Sequence, residues 1–266
     1  MAFATLVAAL SLIVTQFQSI SAYASVITRL GELLEASDTA ALQDSVSCIG
    51  CTYESDHFVF DNLTLRSGDE DDRVILNGLN VSFIPGRQVL VSGSNEAAKQ
   101  ALFRASAGLH DAGTGAILRP PTGTTAFLPE QPYLPHGTLR GLLVPARLDK
   151  ETGNDVVLAV LRDLGLGHMV EKHDGIEEPR HWHEILSLEE QQLLAVARLV
   201  LAKARFAFLN RLQSALDRDT LGRVLHVLAH RDITCVSFGS GPPEHGLHDL
   251  CLELNEDGSW RWTEVA

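Results

Sequence analysis

The sequence predicts an α/β domain with a mostly parallel sheet and a helical subdomain inserted between two of its strands. Two short apolar runs, at 89–91 and 206–209, have the length and composition of buried strands. Helical segments follow them, and strands that alternate with helices are typical of a parallel sheet. At 266 residues and 45% hydrophobic content, the chain is large enough for one such domain with a sizeable core.

Two helices are predicted from their start and stop signals. Asp155 is expected to cap a helix whose apolar periodicity continues to Gly165, where a glycine ends it. Ser187 and Glu190 have the spacing of a capping box, and the periodic apolar residues at 193–200 follow. A helix is therefore expected to begin just after Ser187.

Two hairpins are predicted at the ends of the domain. Near the C-terminus, the apolar run 252–254 is followed by a polar turn and then by Trp260 and Trp262. Upstream, the acidic run at 69–72 is interpreted as the solvated tip of another hairpin.

The segment 89–100 has the frame of a phosphate-binding loop. A working loop reads G-x-x-x-x-G-K-[ST] between a buried strand and a helix, so that backbone N–H groups surround the phosphates, the Lys reaches them and the hydroxyl holds Mg²⁺. Gly93 and Lys99 are in place, and an Ala-rich helix at 97–109 is expected to end near Gly108. The loop positions are Gly93, Ser94, Asn95, Glu96, Ala97, Ala98, Lys99 and Gln100.

Three replacements remove chemistry that this loop needs. Ala98 stands where the second glycine belongs, Glu96 places a carboxylate in a loop built for an anion, and Gln100 has no hydroxyl for the metal. A helix N-terminus still attracts anions through its backbone. Like charges a few ångström apart in a partly desolvated site, however, cost on the order of a few kcal/mol. Weak or absent phosphate binding is therefore predicted.

Four further segments, in order, resemble the ATP-binding domain of ABC transporters. Residues 127–140 are similar to the Q-loop segment FLPQRPYLPxGTLR of the half-transporter subfamily that includes peroxisomal fatty-acyl transporters and bacterial peptide-uptake proteins. Residues 186–192 resemble its signature motif LSLGEQQ, and 206–217 resemble Walker B running into the D-loop. Residues 235–240 occupy the VISVGH strand. The resemblance covers roughly 55–265 and implies a P-loop NTPase-like fold with antiparallel edge strands.

At several positions this sequence differs from the family pattern, and the resemblance implies which role each difference removes. Glu130 stands at the position of the Q-loop Gln, and Asn210 at that of the Walker B Asp that carries Mg²⁺. Arg211 stands at the position of the adjacent catalytic Glu, and it cannot act as a general base. Ser240 replaces the switch His, and Glu189 replaces the signature Gly that faces the opposite subunit's ATP. Phosphoryl transfer depends on positioning and electrostatic stabilisation, so we expect very slow or absent hydrolysis and no catalytic residue.

Other motif positions survive in part. The resemblance implies that one subunit's signature motif meets the other subunit's Walker motifs. The signature positions are Ser187, Leu188, Glu189, Glu190 and Gln191, and the D-loop positions are Ser214, Ala215, Leu216 and Asp217. A structural interpretation stands beside this one, in which Lys99 is a solvated helix residue, Ser187 only a cap and 214–217 only a turn.

The predicted function is that of a degenerate ATP-binding subunit at the cytoplasmic face of a membrane. The resemblance implies a membrane-embedded half-transporter subunit as partner, with a heteromer favoured over a homodimer. ATP is expected to bind weakly or not at all, and Mg²⁺ binding is doubtful. One alternative is a residual ATP-binding, weakly hydrolysing transport ATPase. Another is a non-transport interaction protein or a decaying gene product.

The N-terminus allows three interpretations. Residues 1–14 are nearly all apolar but too few to span a bilayer. A signal peptide with a cleavage site at 22–24 is one interpretation, although no Lys or Arg precedes Arg29. The second, a plain amphipathic helix, needs no membrane. The third follows the resemblance, in which 16–33 is similar to the end of the last membrane-domain helix.

The domain prediction follows the third interpretation. A helical leader over 1–45 is expected to be a remnant of the last transmembrane helix plus a linker. The ABC ATP-binding-like domain is expected over 46–266, with its helical subdomain at about 134–203.

Charge and cysteine usage argue against two other functions. The net charge of −13 leaves no basic surface to replace counterions, so no nucleic-acid partner is expected. Cys48 and Cys51 have half of a zinc-ligand spacing, but Cys235 and Cys251 are far apart in sequence. The histidines of 181–183 also invite a metal interpretation, although a Trp is expected at this place in related half-transporters. No metal site is predicted.

Overall fold

A computed structural model describes residues 16–17, 20–35, 49–53, 56–68, 72–121, 123–173 and 175–265. The chain divides into two units, Met1–Cys48 and Ile49–Ala266. In the first unit, helix α1 spans residues 20–35. The apolar run at 1–14 lies outside the described residues. Within the described part, none of the helices has the length and hydropathy that crossing a bilayer requires.

The second unit contains strands and helices in alternation. Its strands are β1 Gly50–Thr52, β2 Phe58–Arg66, β3 Val74–Phe83, β4 Gln88–Ser92, β5 Gly113–Leu118, β6 Thr125–Leu128, β7 Phe206–Asn210, β8 Thr234–Phe238, β9 Leu250–Leu254 and β10 Trp260–Glu264. Its α-helices are α2 Glu96–Ala107, α3 Leu139–Leu143, α4 Asn154–Asp163, α5 Gly167–Lys172, α6 Trp182–Ile185, α7 Leu188–Leu201 and α8 Arg218–Ala229. Short 3₁₀ helices lie at Ala146–Leu148 and Leu212–Ser214.

The larger sheet has six strands in the order β10-β9-β4-β8-β7-β6. All neighbours are parallel except β9 and β10, which form the antiparallel hairpin predicted at the C-terminus. Strand β4 lies between β8 and β9, with Val91 opposite both Phe238 and Leu252. The mostly parallel α/β sheet with an antiparallel edge is confirmed.

The smaller sheet has the order β1-β5-β2-β3 and is mainly antiparallel. Strands β2 and β3 pair with Arg66 opposite Val74 and so form an antiparallel hairpin. Residues 69–71 of the acidic run are outside the described part of the chain. Asp72 is described, and it accepts a hydrogen bond from Arg66 Nε at 2.8 Å.

An aromatic core joins the two sheets. Phe58, Phe60 and Phe83 of the smaller sheet meet Phe206 and Phe208 of the larger one, and all five are at most 1% exposed. The rings of Phe58 and Phe208 are 4.6 Å apart. Burial of each such side chain contributes about 1.5–3 kcal/mol, so this cluster fixes the sheets relative to each other.

A second core holds the helices between β6 and β7. Helix α7 packs against α3 and α4, and Trp182 is fully buried among their apolar side chains. The indole Nε1 of Trp182 donates to the Gly137 carbonyl at 2.7 Å. The side chain therefore has a structural role between the segment after β6 and the start of α7.

Helix ends agree with the sequence at three places and differ at one. Helix α2 ends at Gly108 with φ 78°, Gly165 follows α4 with φ 81°, and the capping box at Ser187 is formed. The predicted cap at Asp155 is wrong. Gly153 is the N-cap and Asp155 lies in the first turn, where its carboxylate favours the helix dipole without capping a backbone N–H.

Candidate nucleotide site

A cavity of about 330 Å³ opens where four parallel strands end. Ligands of α/β proteins bind at this carboxyl edge of the sheet, because the loops that leave the strands meet there. The lining residues are Glu96, Ala97, Lys99, Gln100, Glu130, Asn210, Arg211, Phe238 and Gly239. Loop, Q-loop and Walker B positions, which lie far apart in sequence, are thus brought together.

Lys99 is bound from two sides inside this cavity. Its Nζ donates to Glu96 Oε1 at 2.7 Å and to the Gly239 carbonyl at 3.0 Å. Only 5% of the Lys99 side chain is exposed, against 58% of the Glu96 side chain. Glu96 thus supplies the anion that a phosphate would supply in a working loop.

Asn95 occupies the backbone amides at the start of α2. Its Oδ1 accepts from Ala98 N–H at 2.9 Å and its carbonyl accepts from Lys99 N–H at 3.1 Å. Glu96 N–H donates to the Ser94 carbonyl at 3.1 Å. The otherwise unpaired amides of Glu96 and Ala98 are therefore satisfied by the loop itself, and a phosphate would have to displace those two bonds.

The side chain of Asn95 also ties the loop to its surroundings. Its Nδ2 donates to the carbonyls of Ile75 and Asn255 at 3.0 and 2.9 Å. The sequence prediction missed this capping role, although Asn before an acidic first turn is a known helix-start signal. Asn95 therefore serves as a buried structural residue that fixes the loop.

Gly93 is needed by the fold itself. Its φ is 111°, a region that L-residues rarely adopt, and a Cβ there would overlap the backbone of Leu254. The loop glycine thus has a packing role against β9 that does not depend on phosphate.

Glu130 enters the cavity from the loop after β6. The backbone of this loop is held by the buried Gln192, whose Nε2 donates to the carbonyls of Pro129, at 3.2 Å, and Glu130. Gln192 lies on α7, so the signature helix positions the Q-loop segment. Sequence analysis did not predict this contact.

Asn210 and Arg211 enter from the end of β7. Arg211 has a left-handed backbone with φ 53° and ψ 40°, and its N–H donates to the Phe238 carbonyl at 2.8 Å. Its exposed side chain lines the cavity. The end of β7 therefore presents an amide and a guanidinium where the family pattern has two carboxylates.

Ser240, like Ala98, is a departing position that does not line the cavity. It is exposed and follows Gly239, which does. Gly239 is buried, and a Cβ there would overlap the side chain of Gln213. At Gly239 the cavity wall is therefore made of backbone.

The charged lining side chains balance each other. Glu96 and Glu130 oppose Lys99 and Arg211, so the cavity has no net positive charge to attract a polyphosphate. Phe238 is the aromatic lining residue, and it belongs to the buried core. At the Lys99 position, the cavity thus presents an ammonium that is already paired with Glu96 and with the Gly239 carbonyl.

The signature positions lie apart from this cavity, on and before the first turn of α7. Ser187 Oγ accepts from Glu190 N–H at 3.2 Å, and Ser187 N–H donates to Glu190 Oε2 at 2.9 Å. Ser187, Leu188 and Glu189 are exposed. Gln191 is buried and donates to the Leu186 carbonyl at 2.9 Å.

Glu190 is held as a carboxylate. Burial acts to raise its pKa, but hydrogen bonds from Ser187 and His168 outweigh that effect and hold the pKa below its usual value. Together with Glu189, it places two carboxylates in the first turn of α7. The helix dipole is thus already matched by protein acids, which disfavours an added anion.

The D-loop positions have local partners. Ser214 Oγ donates to the Arg211 carbonyl at 2.7 Å, and Asp217 caps α8 by accepting from Thr220 N–H at 2.8 Å. This hydrogen bond from the Thr220 backbone holds the pKa of Asp217 below its usual value. Leu216 is buried and Ala215 is half-buried.

Known proteins with similar sequences are ABC transporter ATP-binding proteins. An uncharacterized ABC transporter ATP-binding protein of Synechocystis sp. is 33% identical, over 100% of this chain and 41% of its own length. ABC transporter D family member 2, chloroplastic, of Arabidopsis thaliana is 27% identical over 96% of this chain and 46% of its own length. ATP-binding cassette sub-family D member 3 of Homo sapiens is 29% identical over 78% and 32%.

A solved structure, a bacterial Atm1-family ABC exporter with ATP bound, has the same fold. It superimposes with a TM-score of 0.65 at 20% identity, over 85% of this chain and 42% of the exporter chain. No family model matches the chain. The chain spans less than half the length of these relatives. It is therefore similar to ABC transporter ATP-binding proteins, including members of the D family, and folds as an exporter's nucleotide-binding domain.

Proposed function

We propose that this chain is a pseudo-ATPase subunit of an ABC-type transporter, which acts at the cytoplasmic face of a membrane through a half-transporter partner. Similarity to ABC transporter ATP-binding proteins supports the transporter role. The main support for the proposed lack of ATP turnover is that Lys99 is bound to Glu96 and to the Gly239 carbonyl.

The electrostatics of the cavity support this proposal. A phosphate must compete with Glu96 for the ammonium of Lys99, and it must displace the Asn95 side chain from the Ala98 N–H. Each replaced hydrogen bond returns little net free energy, about 1 kcal/mol, because one bond is exchanged for another. Phosphate binding at this loop therefore gains little free energy, whereas in a working loop these contacts supply most of it.

The catalytic positions support the same conclusion. Asn210 offers a neutral carbonyl to a metal ion, and Arg211 offers a cation where a base would be needed. Ser240 lies outside the cavity lining. The groups that orient water and hold Mg²⁺ act together in phosphoryl transfer, so the loss of all of them leaves no route to hydrolysis.

The partnership proposal rests on charge. If sites of this family form between two subunits, two copies of this chain would bring Glu189 towards the cavity that holds Glu96. Both side chains are exposed carboxylates, so an added ATP would not join the copies. A partner with intact Walker motifs would avoid this repulsion in one of the two sites.

Equilibrium titration with a fluorescent ATP analogue, with and without Mg²⁺, tests the proposal. We expect no saturable signal, and the same response from the parent and from a Lys99→Ala variant. Saturable, Mg²⁺-dependent binding that Lys99→Ala abolishes would favour the second candidate, a residual ATP-binding domain. That candidate is supported by the retained Lys99 and by a cavity of ligand size.

A further inference from the structure

Two histidines lie one turn apart on the last part of α8. His226 and His230 have the i, i+4 spacing, and their ring centroids are 4.1 Å apart with an interplanar angle of 59°. Both side chains are exposed. Two imidazoles on one helix face at this spacing are the arrangement by which a helix presents a pair of nitrogen ligands to one metal ion.

We propose that His226 and His230 form a binding site for a divalent transition-metal ion. Metal–nitrogen bonds of about 2.0–2.1 Å place two ligating nitrogens roughly 3–4 Å apart, which rings at this separation can reach by small side-chain rotations. The two histidines supply the protein ligands, and water completes the coordination. Imidazole selects copper, nickel and zinc over magnesium and calcium.

The surroundings favour a cation. The pair lies in the last turn of α8, where His230 is the C-cap and unpaired carbonyls give the helix its negative end. The neighbouring Arg231 is bound to Asp163 at 2.6 Å, and the guanidinium of Arg223 lies against Gly165. The guanidinium of Arg231 is thus engaged with a carboxylate.

Both rings are exposed to solvent, so water can complete the coordination of an ion that the two imidazoles hold. A bound ion would stiffen the end of the helix whose N-cap is the D-loop residue Asp217.

Calorimetric titration of the full chain with CuCl₂, ZnCl₂ and MgCl₂ tests the site. The protein carries Cys48→Ser and Cys51→Ser, because Cys51 is an exposed thiol that would bind the same metals. We expect one ion per chain, with Cu²⁺ bound more tightly than Zn²⁺ and no response to Mg²⁺.

Two double variants decide where the ion binds. His226→Ala with His230→Ala should abolish the saturable signal and the metal-dependent rise in unfolding temperature. The matched control is His136→Ala with His181→Ala, a second exposed pair with ring centroids 4.4 Å apart. Its residues lie in separate segments and lack the i, i+4 helical spacing, so this variant should keep both responses. Persistence in the first variant, loss in the control, or no saturable binding by the parent would each overturn the proposal. Circular dichroism verifies that all variants are folded.

Discussion

Lys99 and Glu96 bind each other across one turn of α2, with 2.7 Å between Nζ and Oε1. The lysine is buried while the glutamate remains largely exposed. In a phosphate-binding loop that lysine is the group that reaches the ligand. Here it binds a carboxylate of its own helix instead. The charge of the Lys99 ammonium is therefore already paired within the protein, and a nucleotide phosphate would have to compete with Glu96 for it.

The purified chain should not hydrolyse ATP above a Lys99→Ala control. Asn210, Arg211 and Ser240 together lack the metal ligand, the water-orienting carboxylate and the switch base, and such groups act as a unit. Phosphate release under steady-state conditions is the measurement. Release that depends on Lys99 would contradict the assignment.

Restoring the loop should restore nucleotide binding. The triple variant Glu96→Gly, Ala98→Gly and Gln100→Ser frees Lys99, allows closer backbone approach and returns the metal hydroxyl. Its affinity for Mg-ATP, measured by titration, should exceed that of the parent. Ala98→Gly alone is the matched control, because it keeps the Lys99–Glu96 pair, and it should gain least.

The triple variant needs a test of folding. Two glycines in the first turn of α2 cost about 1 kcal/mol each relative to alanine. Its circular dichroism and urea midpoint are therefore measured with its affinity. A folded triple variant that binds no better than the parent would show that the loop is placed wrongly.

ATP should not drive homodimerisation of the chain. Paired copies would oppose Glu189 to Glu96, so nucleotide gives no attraction between them. Size-exclusion chromatography with light scattering, with and without Mg-ATP, is the measurement. The mass should be the same in both conditions, and an ATP-dependent shift to a dimer would overturn the prediction of a heteromer.

Gly93→Ala should destabilise the fold even without nucleotide. The substitution combines an unfavourable positive φ with overlap against the backbone of Leu254, so the loss should exceed about 1 kcal/mol. Gly86→Ala is the matched control, since Gly86 has φ 82° but nothing within 4 Å of an added Cβ. Urea unfolding should show the larger loss at Gly93, and equal losses would remove its packing role.

Glu190→Gln should destabilise the protein at neutral pH. The folded-state pKa of Glu190 lies below its usual value, so its charge contributes stability above the unfolded-state pKa. That contribution disappears as the pH falls through the folded-state pKa. Glutamine keeps the capping box without the charge, so the expected loss at pH 7 is about 0.3–1 kcal/mol. Urea midpoints should converge for the two proteins on acidification, and a pH-independent difference would argue against a role of the charge.

Sequence alone predicted the features that depend on residues close together in the chain. The capping box joins Ser187 and Glu190, three residues apart, and the run into Gly93 is a strand that feeds a turn and a helix. Local hydrogen bonding and apolar periodicity determine such elements, so a linear pattern contains them. The exception, Asp155, shows that a polar residue near a helix start can lie in the first turn instead of at the cap.

Tertiary structure alone decided which distant backbone carbonyls pair with the polar side chains of the candidate site. Lys99 reaches the carbonyl of Gly239, 140 residues away, and Asn95 reaches that of Asn255, 160 residues away. These contacts exist because β4 lies beside β8 and β9 in the sheet, an order that no local pattern specifies. The sequence determined which chemical groups remain in the loop. The sheet order determined that the carbonyls of Gly239 and Asn255 also satisfy them, because buried polar groups must find partners wherever the fold places acceptors.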